Sequence, residues 1–339
     1  MKESIEEFCH TIGKDQLLVQ GAGGNISWKN GNELWVKASG KWIADAKKEE
    51  IFVKVDLKDL RKQINNFNFD SSPKVLSTSD LRPSIETIMH ALMPQKVVVH
   101  LHAIEPLSVL VRKNCEAELI EKMTKYRFDW LLIDYVKPGK LLAAEIHSGL
   151  LRKPKADIIF LKNHGIVLAA NSVEDLEDKL YEINNLFKSD NEWKSSHEFI
   201  QKENTSTNLM DYELVEDDSI QSLVWDDKLF AYLQNFWILY PDHVVFLGPK
   251  PFLYESLKAL KDVQFNEEKP ELIFIKNNGV YAKNSFNHTK SVQLKCYYQV
   301  LIRQKSREEI RPLTQLEIQD LLGWDAEKYR IELAERKTI

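Results

Sequence analysis

QGAGGNISWKNGNELWVKAS, residues 20–39, decides between two folds. A dinucleotide-binding fold places G-x-G-x-x-G between a strand and a helix. Gly21 and Gly23 supply the first two glycines, but position 26 is Ile. No helix comes after the loop either, since apolar residues alternate at Ile26 and Trp28, then Leu34, Val36 and Ala38 on the far side of Asn30-Gly31. Period-two alternation around Asn-Gly predicts a β-hairpin. The glycine loop before it suits an ordinary tight turn, or one phosphate held by backbone N–H groups and the Asn25 amide.

The flanking sequence extends this α/β pattern. Residues 3–13 form a short amphipathic helix, and SIETIMHALM a second, with Ile85, Ile88, Met89, Leu92 and Met93 on its apolar stripe. KVVVHLHAI is a β-branched strand, and DIIFLKNHGIVLAA gives strand, turn and strand before a helix opening at NSVED. Between 188 and 222 the chain turns polar and loses periodicity, as a connection between lobes would. Beyond it, ELIFIKNNGVYAKNS echoes DIIFLKNHGIVLAANS, with Asn278 where His164 stands. YPDHVVFLGP echoes MPQKVVVHLH, setting Leu247 against His100 and Pro249 against His102. Two echoes in the same order predict a duplicated module whose second copy has lost these histidines.

Hydrophobic and charged fractions of 43% and 29% suit a globular fold, and a net charge of −5 with interspersed signs argues against nucleic acid or an anionic membrane as partner. The N-terminus lacks a signal peptide's apolar run, and no stretch approaches the roughly 18 apolar residues of a membrane span. Cys9, Cys115 and Cys296 are few and scattered, as plain core residues of a cytoplasmic protein would be.

The chemistry centres on VVVHLHAI. Residues i and i+2 of a strand point to one side, so His100 and His102 project together with a spacing that suits one metal ion. Paired core or surface histidines share that spacing. His164, in KNHG before Gly165, is a third ligand candidate, and three imidazoles leave zinc one open position. Glu86, off the apolar stripe of its helix, is a candidate acid/base or a solvated carboxylate. His90, one turn on, is a partner for Glu86 or a structural histidine. Lys37, Lys41 and Arg82 read as solvated cations, or as added charge beside KASG and RPSIE, and His10, His147, His197, His243 and His288 carry no motif.

GAGGNIS, KASG, RPSIE, HLH and NHG occur in the order of the class II aldolase/adducin family, and the resemblance covers about residues 5–190. LRPSIETIMHALMPQKVVVHLH and LLGWDAEKYR are most similar to the aldolase part of bifunctional rhamnulose-1-phosphate aldolase/alcohol dehydrogenases, with no dehydrogenase-like βαβ unit after them. The resemblance implies a three-layer α/β/α module with a mainly antiparallel central sheet. With the echoes, it implies a catalytic domain over 1–205 and a degenerate, metal-free lobe with a C-terminal helix over 206–339.

It also implies that His100, His102 and His164 bind Zn2+ or another divalent ion, and that Glu86 is the catalytic acid/base. Gly24, Asn25, Ser39, Gly40 and Ser84 would hold the substrate phosphate, with Ile85 standing where fuculose-phosphate members carry a second serine. The implied reaction interconverts a ketose 1-phosphate with dihydroxyacetone phosphate and an aldehyde such as lactaldehyde, through a metal-stabilised enediolate. The implied assembly is a homo-oligomer, in which a tyrosine of a neighbouring subunit would donate a proton; no motif places it, and Tyr126 and Tyr135 are candidates that also suit core or rim positions. Epimerases, dehydratases and non-catalytic adducins share the family, so the alternatives are one of those sugar-phosphate activities or a metal-free binding module.

Overall fold

The computed structural model describes residues 1–78, 80–126, 128–189, 209, 211–261, 269–306 and 309–323. Most of the polar connection, His197, the boundary near 205 and the end of the LLGWDAEKYR motif lie outside these residues.

The Asn-Gly hairpin forms as its alternation predicts, from β1 (Asn25–Asn30) and β2 (Glu33–Lys37), with Trp28 opposite Trp35 and Gly31 at the turn in a left-handed conformation. Before it lies α1 (Lys2–Ile12). After it come β3 (Phe52–Asp56), α2 (Leu57–Asn65), α3 (Thr87–Leu92) and β4 (Val97–Leu101), the strand that carries the paired histidines. The half is completed by α4 (Ile104–Leu110), α5 (Cys115–Met123), β5 (Trp130–Ile133), α6 (Lys140–Arg152), β6 (Ile158–Leu161), β7 (Gly165–Ala170) and α7 (Val173–Phe187).

The strands make one sheet in the order β3-β2-β1-β4-β7-β6-β5, antiparallel except for the β5–β6 pair. Alternation along β4 separates two apolar layers. Val97, Val99 and Leu101 pack with Phe8 of α1, Leu119 of α5 and Leu180 of α7. Val98 faces the other way, toward Met89 of α3 and Leu142 and Ile146 of α6. Helices therefore cover both faces, the expected three layers. The second predicted helix is shorter than its apolar stripe, because α3 begins after Glu86, which occupies the N-cap position.

The C-terminal half contains β8 (Glu213–Leu214), α8 (Asp218–Trp225), α9 (Asp227–Asn235), α10 (Pro241–Leu247), β9 (Leu253–Tyr254), α11 (Leu257–Lys261), β10 (Leu272–Ile275), β11 (Gly279–Ala282), α12 (His288–Ile302) and α13 (Gln315–Leu322). Its sheet runs β8-β11-β10-β9. One echo has a structural counterpart. Like β6 and β7, β10 and β11 pair antiparallel beside a parallel neighbour, and Asn163 and Asn277 both adopt φ 52° in the connecting turns. The other echo fails. YPDHVVFLGP was expected to match the histidine strand, yet residues 241–247 form α10, with a proline at its start. A short apolar run fits strand and helix alike, and proline favours a helix's first turn. Leu247 and Pro249 are therefore not the counterparts of His100 and His102.

The halves share apolar packing. Ile104 and Leu107 of α4, with Val111, belong to the core of the C-terminal half, beside Tyr297 and Leu301 of α12. All three cysteines are buried and free. No helix of the described residues is long and apolar enough to cross a membrane.

Candidate metal centre and phosphate loops

β4 lies between β1 and β7, and its register sets Asn25 and Val167 opposite His100. His100 is fully buried, and its Nδ1–H donates to the Ile166 carbonyl of β7 at 2.9 Å. That bond fixes the tautomer, so the Nε2 lone pair is the free one. His102 lies just past the strand end, and its ring centroid is 5.0 Å from that of His100. His164, in the β6–β7 turn, brings its ring to 4.8 Å from His100 and 5.3 Å from His102. Gly165 permits this approach, because a Cβ there would stand 2.3 Å from the Leu101 carbonyl oxygen.

One ligand atom from each of the three imidazoles lies within 4.8 Å of the others. Burial pushes the His100 and His164 pKa values down, that of His164 to about 3, so both rings are neutral at pH 7 and have a lone pair to give. His100 Nε2 and Glu86 Oε1, the latter facing His164, are buried with no hydrogen-bond partner among the described residues. Three clustered imidazoles, two of them held neutral by burial, next to a carboxylate with an unpartnered oxygen fit a divalent ion.

Glu86 points at the histidines, with Oε2 3.6 Å from His100 Nε2 and Oε1 3.6 Å from His164 Nε2. Burial would raise its pKa, but His100, His164 and the hydrogen bond from Asn25 hold it below the usual carboxylate range. Asn25 Nδ2 donates to Glu86 Oε2 at 2.7 Å and to Ser84 Oγ at 3.3 Å. The Asn25 oxygen contacts His90 Nε2, and His90 Nδ1 lies 2.8 Å from Ser27 Oγ. His90 is thus a structural histidine that supports Glu86 through Asn25, and burial lowers its pKa to about 3.

Gly24, Asn25, Ser39, Gly40 and Ser84 line one pocket together with Glu86, His102 and His164, and Ile85 also faces it. The loops meet because Ser39 N donates to the Arg82 carbonyl at 2.9 Å and Ser84 N to the Lys37 carbonyl at 3.2 Å. Lys37 is not the solvated cation expected. Only 2% exposed, it donates from Nζ to the Ala22 carbonyl at 3.0 Å and the Lys41 carbonyl at 2.6 Å, fastening the glycine loop to KASG. Lys41 pairs with Glu49. Neither Tyr126 nor Tyr135 is among the lining residues; Tyr126 stacks on Phe128, and Tyr135 lies under the Arg311 guanidinium.

Pro138 and two lining residues from the other half escaped sequence reasoning. Pro241 and Asp242 come from the start of α10 in the C-terminal half, and Asp242 Oδ2 lies 3.3 Å from His102 Nδ1. The available signal was Pro-Asp, a helix-opening pair.

A sequence profile described as the class II aldolase and adducin N-terminal domain matches residues 3–189. The chain is 29% identical over 202 residues to a protein named uncharacterized oxidoreductase YuxG, of Bacillus subtilis (strain 168), covering 54% of this chain and 29% of that protein. It therefore spans less than a third of that relative's length. It is 28% identical over 201 residues to the L-fuculose phosphate aldolase of Methanococcus maripaludis (strain C7), covering 53% of this chain and 96% of that protein. Among solved structures, the N-terminal class II aldolase domain of a conserved protein from Thermoplasma acidophilum aligns with a TM-score of 0.46 at 23% identity, covering 54% of this chain and 90% of that one.

Proposed function

The chain belongs to the class II aldolase and adducin family, and from that premise we propose that it is a zinc-dependent aldolase of ketose 1-phosphates. In this reading residues 1–205 form the catalytic domain, and 206–339 a degenerate lobe without a metal of its own. One observation carries the proposal: a buried carboxylate and two of three clustered imidazoles, His102 and His164, line one pocket with the residues of two phosphate-type loops and Ser84.

His100, His102 and His164 would hold the ion, and the chemistry it supplies when bound is Lewis-acid polarisation of the substrate carbonyl. The remaining work falls to the chain's own groups. Backbone and hydroxyl groups of Gly24, Ser39, Gly40 and Ser84 grip the phosphate, with Lys37 tying their loops together. That distant grip holds the reacting carbon in register. Glu86 moves the proton: in the condensing direction its carboxylate removes one from the carbon next to the carbonyl of dihydroxyacetone phosphate, and in cleavage it returns it. Asn25 restrains Oε2 and so leaves Oε1 for the proton. Fixing one oxygen keeps the other aimed at a single carbon.

The test separates binding from chemistry. His100→Ala should lose bound zinc, measured by elemental analysis of the purified protein. Glu86→Gln should keep zinc and lose turnover by about 100-fold or more on a panel of ketose 1-phosphates. Product identification completes it. A triose phosphate plus an aldehyde is the expected outcome, a stereoisomer or an anhydro product would make the enzyme an epimerase or a dehydratase, and absence of zinc from the unaltered protein would leave only a binding module.

A further inference from the structure

The C-terminal half reaches the proposed metal centre at two points. Asp242 is 2% exposed, and its Oδ2 accepts a hydrogen bond from Gln293 Nε2 of α12 at 3.4 Å while lying 3.3 Å from His102 Nδ1. Asn163, next to His164, donates from Nδ2 to the Leu239 and Arg311 carbonyls, at 2.8 Å each. Arg311 Nη1 returns a bond to Asn163 Oδ1 at 3.2 Å. Two of the three histidines are thus braced by residues more than seventy positions away in sequence.

The glycine loop leaves room for this contact. A Cβ at position 23 would stand 3.0 Å from Asp242 Oδ2, 3.2 Å from His102 Nδ1 and 2.9 Å from the Gln20 carbonyl oxygen. Gly23 therefore does more than allow a turn, since its bare backbone passes over the Asp–His pair. The choice of side chain also fits. A carboxylate facing one ring nitrogen of a metal-binding histidine keeps the proton on that nitrogen, fixes the ring plane and makes the other nitrogen a better donor.

We propose that Asp242 is a positioning residue of the metal centre, supplied by the C-terminal half: it holds His102 with Nδ1 protonated and leaves Nε2 to the ion. The proposal rests on the zinc reading of the site. It gives the C-terminal half a task in the site itself, which would be incomplete in its absence.

Zinc affinity of the full-length protein, measured by competition with a chromophoric chelator, tests it. Asp242→Asn preserves shape and should weaken zinc binding about 10- to 100-fold. The visible absorption band of the cobalt(II)-substituted protein should shift while the far-ultraviolet circular dichroism stays the same. Glu118→Gln is the control: Glu118 Oε2 holds Arg112 Nη1 at 2.6 Å, and Arg112 donates across to Gln304 Oε1 and the Arg303 carbonyl of the C-terminal half, so the change loosens that junction without touching a histidine. It should leave affinity and spectrum unaltered. Equal losses in both variants would make the effect a general softening of the junction and overturn the proposal. So would an Asp242→Asn protein with unchanged affinity and spectrum. Complete loss of zinc, as in His102→Ala, would make Asp242 a ligand and reject the positioning role. If the unaltered protein binds no zinc, the metal reading fails, and the failure is seen before any variant is compared.

Discussion

At the scale of single residues, burial of titratable groups predicts how the protein responds to pH. His243 is fully buried among Trp237, Tyr240 and Tyr297, and neither ring nitrogen has a hydrogen-bond partner among the described residues. Burial lowers its pKa from 6.5 to about 3. Between these values the unfolded chain binds a proton that the folded protein refuses. The penalty is therefore absent above pH 6.5 and grows as pH falls toward 3, by about 1.4 kcal/mol per pH unit for each such histidine. His90 adds a second contribution over the same window. His243→Phe keeps an aromatic ring in the cage and removes the unpaired nitrogens. It should stabilise the protein by about 1–3 kcal/mol at pH 7.5 and flatten the acid slope by one proton's worth. Urea unfolding at several pH values between 4 and 7.5 measures both, and an unchanged slope would assign the acid sensitivity to other groups.

At the scale of elements, the decisive join is between α4 and the end of α12. Arg303 donates from Nε and Nη2 to Glu105 Oε1 at 3.0 and 2.9 Å, with both residues almost wholly buried. Arg112 donates to the Arg303 carbonyl at 2.9 Å and to Gln304 Oε1 at 3.1 Å. Removing one member of a buried pair strands a charge, whereas replacing both with apolar groups does not. Glu105→Ala should therefore cost about 3–5 kcal/mol, and Glu105→Leu with Arg303→Met should recover most of it. Thermal unfolding of the two variants checks this, and an additive loss in the double variant would contradict it. The same element explains a misreading. Val244, Val245, Phe246 and Leu247 look like strand, but the chain opens a helix at Pro241 and packs it on α12 and α13. In a four-residue apolar run, tertiary packing outweighs local preference.

At the scale of the whole molecule, the two halves are one folding problem. Ile104, Leu107 and Val111 of the N-terminal half find their apolar partners in the C-terminal half. Residues 1–189, expressed alone, would expose that face and lose the ties to His102 and His164. The expected result is a protein that aggregates or binds zinc at least 10-fold more weakly than the full chain. Light scattering and chelator competition measure the two outcomes, and a monomeric fragment with full zinc affinity would show the C-terminal half to be dispensable.

Much of this was legible in the linear order of residues. Alternation around Asn30-Gly31 specified the hairpin, and i, i+2 spacing on a β-branched strand paired His100 with His102, because both are short-range consequences of backbone geometry. His164 stood as a third candidate in KNHG before Gly165, and the family resemblance implied its role. Three things depended on contacts that sequence spacing does not encode: the burial of Lys37 between two loops, the support of Glu86 by His90 through Asn25, and the arrival of Asp242 beside His102. Local order dictates what each short segment prefers to be, whereas a site built from positions 23, 102, 164 and 242 exists only once distant segments share one buried volume, where an unpaired polar group is too costly to leave without a partner.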